Sequence, residues 1–272
     1  MANSTPDVSI NETRPAPAAI ILAAGKGTRM GGDLPKVLHQ TADEPMVKWV
    51  VRACKDAGVE KCVIVVGYKA DLVREALAGE EGISFVEQTE QLGTGHATQM
   101  AQPEFENTPV CDVFVLAGDG PLIRSKTLAR LLEVHRRRKA SATMATAVID
   151  DPSGYGRVVR TASGDFDAIV EQKDATEEQL KINEVNPSYY CFRSDALFSG
   201  LSEVDNNNNQ GEYYLTDVPG LLKKLGQTVA VVDAVPAEDI LSINTPEQLK
   251  EVDGILRNRI SKTTAASGGA SA

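Results

Sequence analysis

Short apolar runs alternate with longer stretches whose apolar residues recur every three or four positions. Ala19–Ala23 is apolar at every position and predicts a buried strand, with a glycine-rich loop after it. Val47–Ala57 carries an apolar stripe at helical spacing. Cys62–Val66 predicts a β-branched strand, Ala70–Leu77 a helix, Ile83–Val86 a short strand, and Gly95–Ala101 the start of another helix. Val113–Ala117 is a further apolar strand ending at Gly118-Asp119, and Ser125–Lys139 is a helix rich in leucine and basic residues. Strands alternating with helices imply βαβ units, hence an α/β fold whose mostly parallel sheet is covered on both faces.

After about residue 140 the pattern loosens. Ala142–Val148, Val158–Arg160, Ala168–Val170, Tyr189–Phe192 and Val229–Val232 read as strands that extend the sheet in mixed directions. Asp195–Leu201, Leu215–Leu225 and Pro246–Arg259 read as helices. Residues 1–17 and 262–272 are rich in small and polar residues without a period and read as disordered tails. The expected organisation is one domain, 18–261, with lobes at 18–140 and 141–261 and a cleft between them. In open parallel sheets ligands sit outside the carboxyl ends of the strands, so the loops after Ala23 and Ala117 are the ones to inspect.

Composition narrows the function classes. The 272 residues suffice for one large α/β domain or two small ones. A formal net charge of −10 argues against broad nucleic-acid binding but not against holding a single nucleotide. No stretch approaches the roughly 20 apolar residues that cross a bilayer. Met1–Pro17 lacks the apolar core of a signal peptide, so the expected location is the cytoplasm, without a membrane partner. Cys54, Cys62, Cys111 and Cys191 form no C-x-x-C pair and read as buried free thiols rather than a metal or redox site.

The chemistry concentrates at two loops. Leu22-Ala23-Ala24-Gly25-Lys26-Gly27-Thr28-Arg29-Met30-Gly31-Gly32 lets the backbone approach a ligand closely, and its N–H groups can cradle phosphates. Lys26 and Arg29 add cationic donors. A flexible turn is the plainer reading, but it does not account for two basic residues inside the loop. No Walker A run occurs, and Met30 stands where the dinucleotide fingerprint requires glycine. Lys36 follows Pro35 and is either a solvated charge or a further phosphate contact. Asp119, in Gly118-Asp119-Gly120-Pro121, is either a turn aspartate or a carboxylate placed to hold Mg²⁺ on phosphate oxygens.

In order, the runs LAAGKGTRM, LPKVLH, QLGTGHA, GDGPL, GYGR and IVEQKDA, with the later Asn244, resemble the uridyltransferase domain of bacterial N-acetylglucosamine-1-phosphate uridyltransferases. The likeness runs from about Ala18 to Asn258. It implies a Rossmann-like nucleotidyltransferase fold, with 18–140 holding the nucleotide and 141–261 the sugar. It also implies that Mg²⁺ is the cofactor, and that UTP and N-acetylglucosamine 1-phosphate are the substrates. By the same likeness Leu22, Ala23, Ala24, Gly25, Lys26, Gln88, Gly93 and Thr94 bind the nucleotide, with Gln88 reading the uracil. Arg29 and Lys36 are catalytic, stabilising the triphosphate and leaving pyrophosphate. Asp119 and Asn244 hold the metal, and Gly156, Glu171, Asn186 and Asn244 hold the sugar. His39 and His96 read as structural.

The chain departs from the family where Pro187-Ser188 follow Asn186 in place of a Thr-Gly pair, and at Gly120, commonly Val. It carries none of the hexapeptide repeats of the family's acetyltransferase half, so acetyl-CoA is not an expected partner. The competing readings are a related enzyme using glucose 1-phosphate or another nucleotide, and a catalytically silent sugar-nucleotide regulator.

Overall fold

The computed structural model describes residues 15–27, 30–233, 235–241 and 243–268. β1 (Ala18–Ala23) lies near the middle of a seven-stranded sheet. Ala19, Ile21 and Ala23 face one side of it, and Ala18, Ile20 and Leu22 the other. Such a strand has no solvent face, which is why its sequence is a continuous apolar run. Ile20 and Ile21 are completely buried, each worth roughly 1.5–3 kcal/mol relative to exposure.

The chain then turns through a small hairpin, β2 (Gln40–Thr41) and β3 (Glu44–Pro45), into α1 (Met46–Asp56). Met46, Val47, Val50, Val51 and Cys54 are buried on one stripe of α1, the helical spacing that the sequence shows. β4 (Lys61–Val66) pairs parallel to β1, and after α2 (Ala70–Ala76) β5 (Ile83–Glu87) adds outside β4. Past α3 (Thr94–Gln99) the chain crosses to the other side of β1 and forms β6 (Asp112–Ala117), then α4 (Ser125–Arg138). The direction of winding thus reverses at β1, and the switch point opens a crevice at the carboxyl ends of β1 and β6.

In the second half the chain serves two sheets. β7 (Ala142–Ala145) joins the large sheet, whereas β8 (Ala147–Val148) joins a four-stranded sheet with β9 (Gly156–Arg160), β10 (Phe166–Val170) and, beyond α5 (Glu177–Leu180), β11 (Glu184–Asn186). β12 (Tyr189–Arg193) returns to the large sheet, antiparallel to β6 and β7. After α6 (Ser194–Leu201) and α7 (Asp217–Lys224), β13 (Val229–Val232) ends it parallel to β7. The strand order is β13-β7-β12-β6-β1-β4-β5. Side chains of α1, α2 and α4 pack on one face, and those of α3, α6 and α7 on the other. The α/β architecture with a mixed, mostly parallel sheet and helices on both faces is therefore as expected.

Beyond residue 140, β7, β12 and β13 extend the first sheet in mixed directions, as the second half of the sequence suggests. Two expectations change. Ala142–Val148 is two strands, because the chain leaves β12 at Thr146 and takes β11 as its new neighbour. The last helix, α8 (Pro246–Gly268), continues past Arg259 into the segment whose composition suggests a tail. Its alanines favour helix, and Ser261 and Thr263 return their hydroxyls to the carbonyls of Asn258 and Arg259. Cys54, Cys62 and Cys191 are buried and Cys111 partly so, all as free thiols. Among the described residues no helix is long and apolar enough to cross a membrane.

Candidate active site

The glycine loop leaves β1 at the crevice. Leu22 is half-buried and its carbonyl accepts Gly118 N–H at 2.9 Å, which stitches this loop to the one after β6. The Ala23 methyl is packed into the core, so only its backbone can meet a ligand. Ala24 is buried, and its carbonyl accepts Tyr68 N–H at 3.0 Å and Gln91 Nε2 at 2.7 Å. Gly25 and Lys26 are exposed, with the Lys26 ammonium over the Tyr68 ring at 5.2 Å. Gly27 has φ +70°, and a Cβ there would lie 2.5 Å from Lys36 Cβ, so only glycine lets the loop lie against Lys36. Arg29, with Thr28, lies outside the described residues.

Lys36 opens a short 3-10 turn whose next two residues, Val37 and Leu38, are buried. They anchor the turn and leave the lysine facing the crevice. Its ammonium forms an ion pair with Asp119 and donates to Asn244 Oδ1 at 2.9 Å. The three side chains are drawn from the turn after the glycine loop, the end of β6 and the segment before α8. Two hard oxygens, a carboxylate and a carboxamide, thus converge on one positive charge. That donor set suits Mg²⁺, which takes one or two protein oxygens and completes its shell with phosphate oxygens and water.

Beside Asp119 lies a cavity of about 210 Å³. Gly156, Glu171, Asn186, Tyr155 and Tyr189 line it, together with Asp119 itself. Gly156 packs closely on this wall: a Cβ there would stand 3.1 Å from Ile169 Cγ2, with Glu171 Oε1 at an ordinary 3.6 Å. Thr216 Oγ1 donates to Glu171 Oε1 at 3.1 Å. Burial pushes the Glu171 carboxyl up; the Thr216 hydrogen bond opposes this, and the charges of Asp217 and Asp174 add to it. Asn186 Nδ2 donates to Tyr190 Oη at 2.6 Å, and its Oδ1 accepts Ser188 N–H at 3.1 Å. Both ends of this amide shape the cavity wall. Ser188 has φ +62°, a left-handed conformation that glycine adopts without cost and serine does not.

Gln88 is buried at the end of β5, with Nε2 3.1 Å from both Gly93 O and His96 Nδ1. Gly93, at φ +104°, packs on Tyr213, whose carbonyl would meet a Cβ at 2.5 Å. Thr94 accepts Leu215 N–H at 3.1 Å through its hydroxyl oxygen. The structure therefore gathers two groups. Lys36, Asp119 and Asn244 meet directly, with Gly156, Glu171 and Asn186 in the adjoining cavity. Gln88, Gly93 and Thr94 form a second cluster near Ala24. Tyr155, Tyr189, Gln91 and Thr216 are missed by the sequence reading. Gln91 opens the QLGTGHA run and was open to detection; Thr216 meets Glu171 only through the fold.

A doubly covered sheet that brings a glycine loop, a lysine and a pair of metal-suited oxygens together at its strand ends defines a class, the α/β enzymes that handle nucleoside triphosphates. The chain belongs to the MobA-like NTP transferase domain family, whose model matches residues 19–209. It is 44% identical over 251 residues to the bifunctional protein GlmU of Syntrophomonas wolfei, a match covering 92% of this chain and 55% of that protein. With the bifunctional protein GlmU of Streptococcus gordonii it shares 44% over 250 residues, covering 92% and 54%. The chain spans about half the length of the curated relatives it matches. Among solved structures, a UDP-glucose pyrophosphorylase complexed with UDP-glucose aligns with a TM-score of 0.74 at 20% identity, covering 90% of this chain and 100% of that one. At that identity the likeness is one of fold.

Proposed function

We propose that this chain transfers a uridylyl group from UTP to N-acetylglucosamine 1-phosphate, giving UDP-N-acetylglucosamine and pyrophosphate. The observation that carries the reading is Lys36 held between Asp119 and Asn244, under the glycine loop and beside the Glu171 cavity. A sugar-phosphate oxygen forms the new bond to the α-phosphorus, and the bond from that phosphorus to the bridging oxygen breaks, leaving pyrophosphate. The attacking oxygen is already anionic at neutral pH, so no protein base is required. The barrier is the approach of two polyanions, and positioning with charge neutralisation lowers it. Lys36 supplies one positive charge, and the glycine-loop N–H groups orient the triphosphate. Asp119 and Asn244 would hold Mg²⁺, which when bound neutralises phosphate oxygens. With Nε2 of Gln88 committed to Gly93, its Oε1 can accept the N3–H of uracil, whereas cytosine presents a lone pair there.

Pro187-Ser188 stand beside Asn186 where the family usually carries a Thr-Gly pair, a departure that bears on N-acetyl recognition, so the alternative acceptor to test is glucose 1-phosphate. A panel of sugar 1-phosphates against UTP, CTP, ATP and dTTP, read by pyrophosphate release with and without Mg²⁺, tests both. The expected best pair is UTP with N-acetylglucosamine 1-phosphate, and only with Mg²⁺. Tight UDP-sugar binding without turnover on any pair would establish a silent binder instead.

A further inference from the structure

Asp239 is 1% exposed, in the short turn Ala237–Ile240 between β13 and Asn244. Arg124 Nη2 donates to its Oδ1 at 2.7 Å, and Arg259 Nη2 donates to the same oxygen at 2.6 Å. Its Oδ2 is buried without a hydrogen-bond partner among the described residues. Glu238, half exposed, shares both guanidiniums at 3.1 and 2.8 Å. A buried ionic group of this kind returns little net stability, because desolvation offsets the attraction. A half-satisfied carboxylate returns less still.

What the group joins suggests its use. Arg124 ends the loop that carries Asp119, and Arg259 Nη1 also holds Leu122 O in that loop at 3.0 Å. Arg259 belongs to α8, which begins two residues after Asn244. The carbonyls of Asp239 and Ile240 accept Tyr189 Oη at 2.8 Å and Tyr155 Oη at 3.0 Å, from two walls of the Glu171 cavity. Leu122 and Ile243, on the two loops, are both fully buried in one cluster with α8. The Asp119 loop and α8, which follows Asn244, therefore meet at the Asp239 carboxylate, and the backbone of the same turn holds the cavity wall.

We infer that Asp239 is a positioning residue, which sets the spacing at which the Asp119 and Asn244 oxygens converge on a cation. The inference rests on the proposed reading of those two oxygens as the metal ligands. Mn²⁺ alone, titrated into the full chain and followed by the electron paramagnetic resonance of the free ion, tests it. Asp239→Asn should weaken Mn²⁺ binding by about tenfold or more, the usual effect of losing a partner behind the ligands. Glu238→Gln should change it less than about twofold, because that carboxylate is solvated. Removing the Asp239 charge alone leaves the two guanidiniums only the half-exposed Glu238 as partner and can unfold the chain. The triple variant Arg124→Met, Asp239→Leu, Arg259→Met replaces the ions by apolar groups and is expected to remain folded. It too should lose Mn²⁺ affinity while its circular dichroism stays native. Wild-type affinity in Asp239→Asn or in the folded triple variant overturns this inference alone. No Mn²⁺ binding by the wild-type chain, or binding that is unchanged in Asp119→Asn, overturns the metal assignment and this inference with it.

Discussion

Gly27 combines a left-handed backbone with direct contact to the Lys36 side chain. Gly27→Ala should push Lys36 away from its partners and lower kcat by roughly a hundredfold, the scale of a displacement of about 1 Å in a reacting site. Steady-state rates beside a melting curve check this; an unchanged kcat would show that Lys36 needs no such support. Asp119→Ala should cost roughly a hundred- to thousandfold in rate with the fold intact, and near-normal pyrophosphate release across Mg²⁺ concentrations would remove it from the metal site. Gln88→Ala should narrow the preference for UTP over CTP, measured as the ratio of kcat/KM values. Residues such as Gly27 and Asp119 were legible in the sequence because a glycine loop and a strand-end carboxylate are local patterns. Their partner Asn244 lies 208 residues from Lys36 in the chain, and only the resemblance pointed to it.

At the scale of elements, α7 begins with an acid whose charge its surroundings oppose. Burial, followed by the charges of Asp205 and Asp174, raises the Asp217 carboxyl from 3.8 to about 6. The start of a helix favours a negative charge, but here burial outweighs it. A folded value above the unfolded one gives a contribution that is complete below about pH 4 and lost as the pH rises through about 6. Asp217→Asn should therefore increase stability at pH 7.5 by on the order of 1 kcal/mol, with the gain gone near pH 4. Urea unfolding at the two pH values measures it; an equal gain at both would place the cause elsewhere. Periodicity located most elements to within a residue or two, since it records which face is buried. It did not show the break at Thr146, because β-propensity is continuous through Ala142–Val148 while the pairing partner changes.

Across the whole molecule α8 acts as a brace. Val252 and Leu256 pack against Met30, Met46, Leu122 and Ile243, which come from both halves of the chain. Arg257 forks onto Asp43 at 2.8 Å, and Asp253 accepts Ala42 N–H at 2.7 Å, pinning the β2–β3 turn. Ending the chain before Pro246 should lower the melting midpoint by roughly 10 °C or more, from the loss of two large buried side chains and these contacts. Ending it after Thr263 should leave the midpoint nearly unchanged, and equal losses in the two truncations would contradict the brace. The sequence by itself determined the α/β class, the buried central strands and the two loops that meet at the candidate site. Each is written in neighbouring residues as periodicity, backbone freedom or a charge at a strand end. Only the tertiary structure decided that the chain divides between two sheets at Thr146, that Asn244 closes on Lys36, and that Asp239 gathers Arg124 and Arg259. Those pairings depend on strand order and on how α8 docks, and contacts between distant segments leave no local period to read.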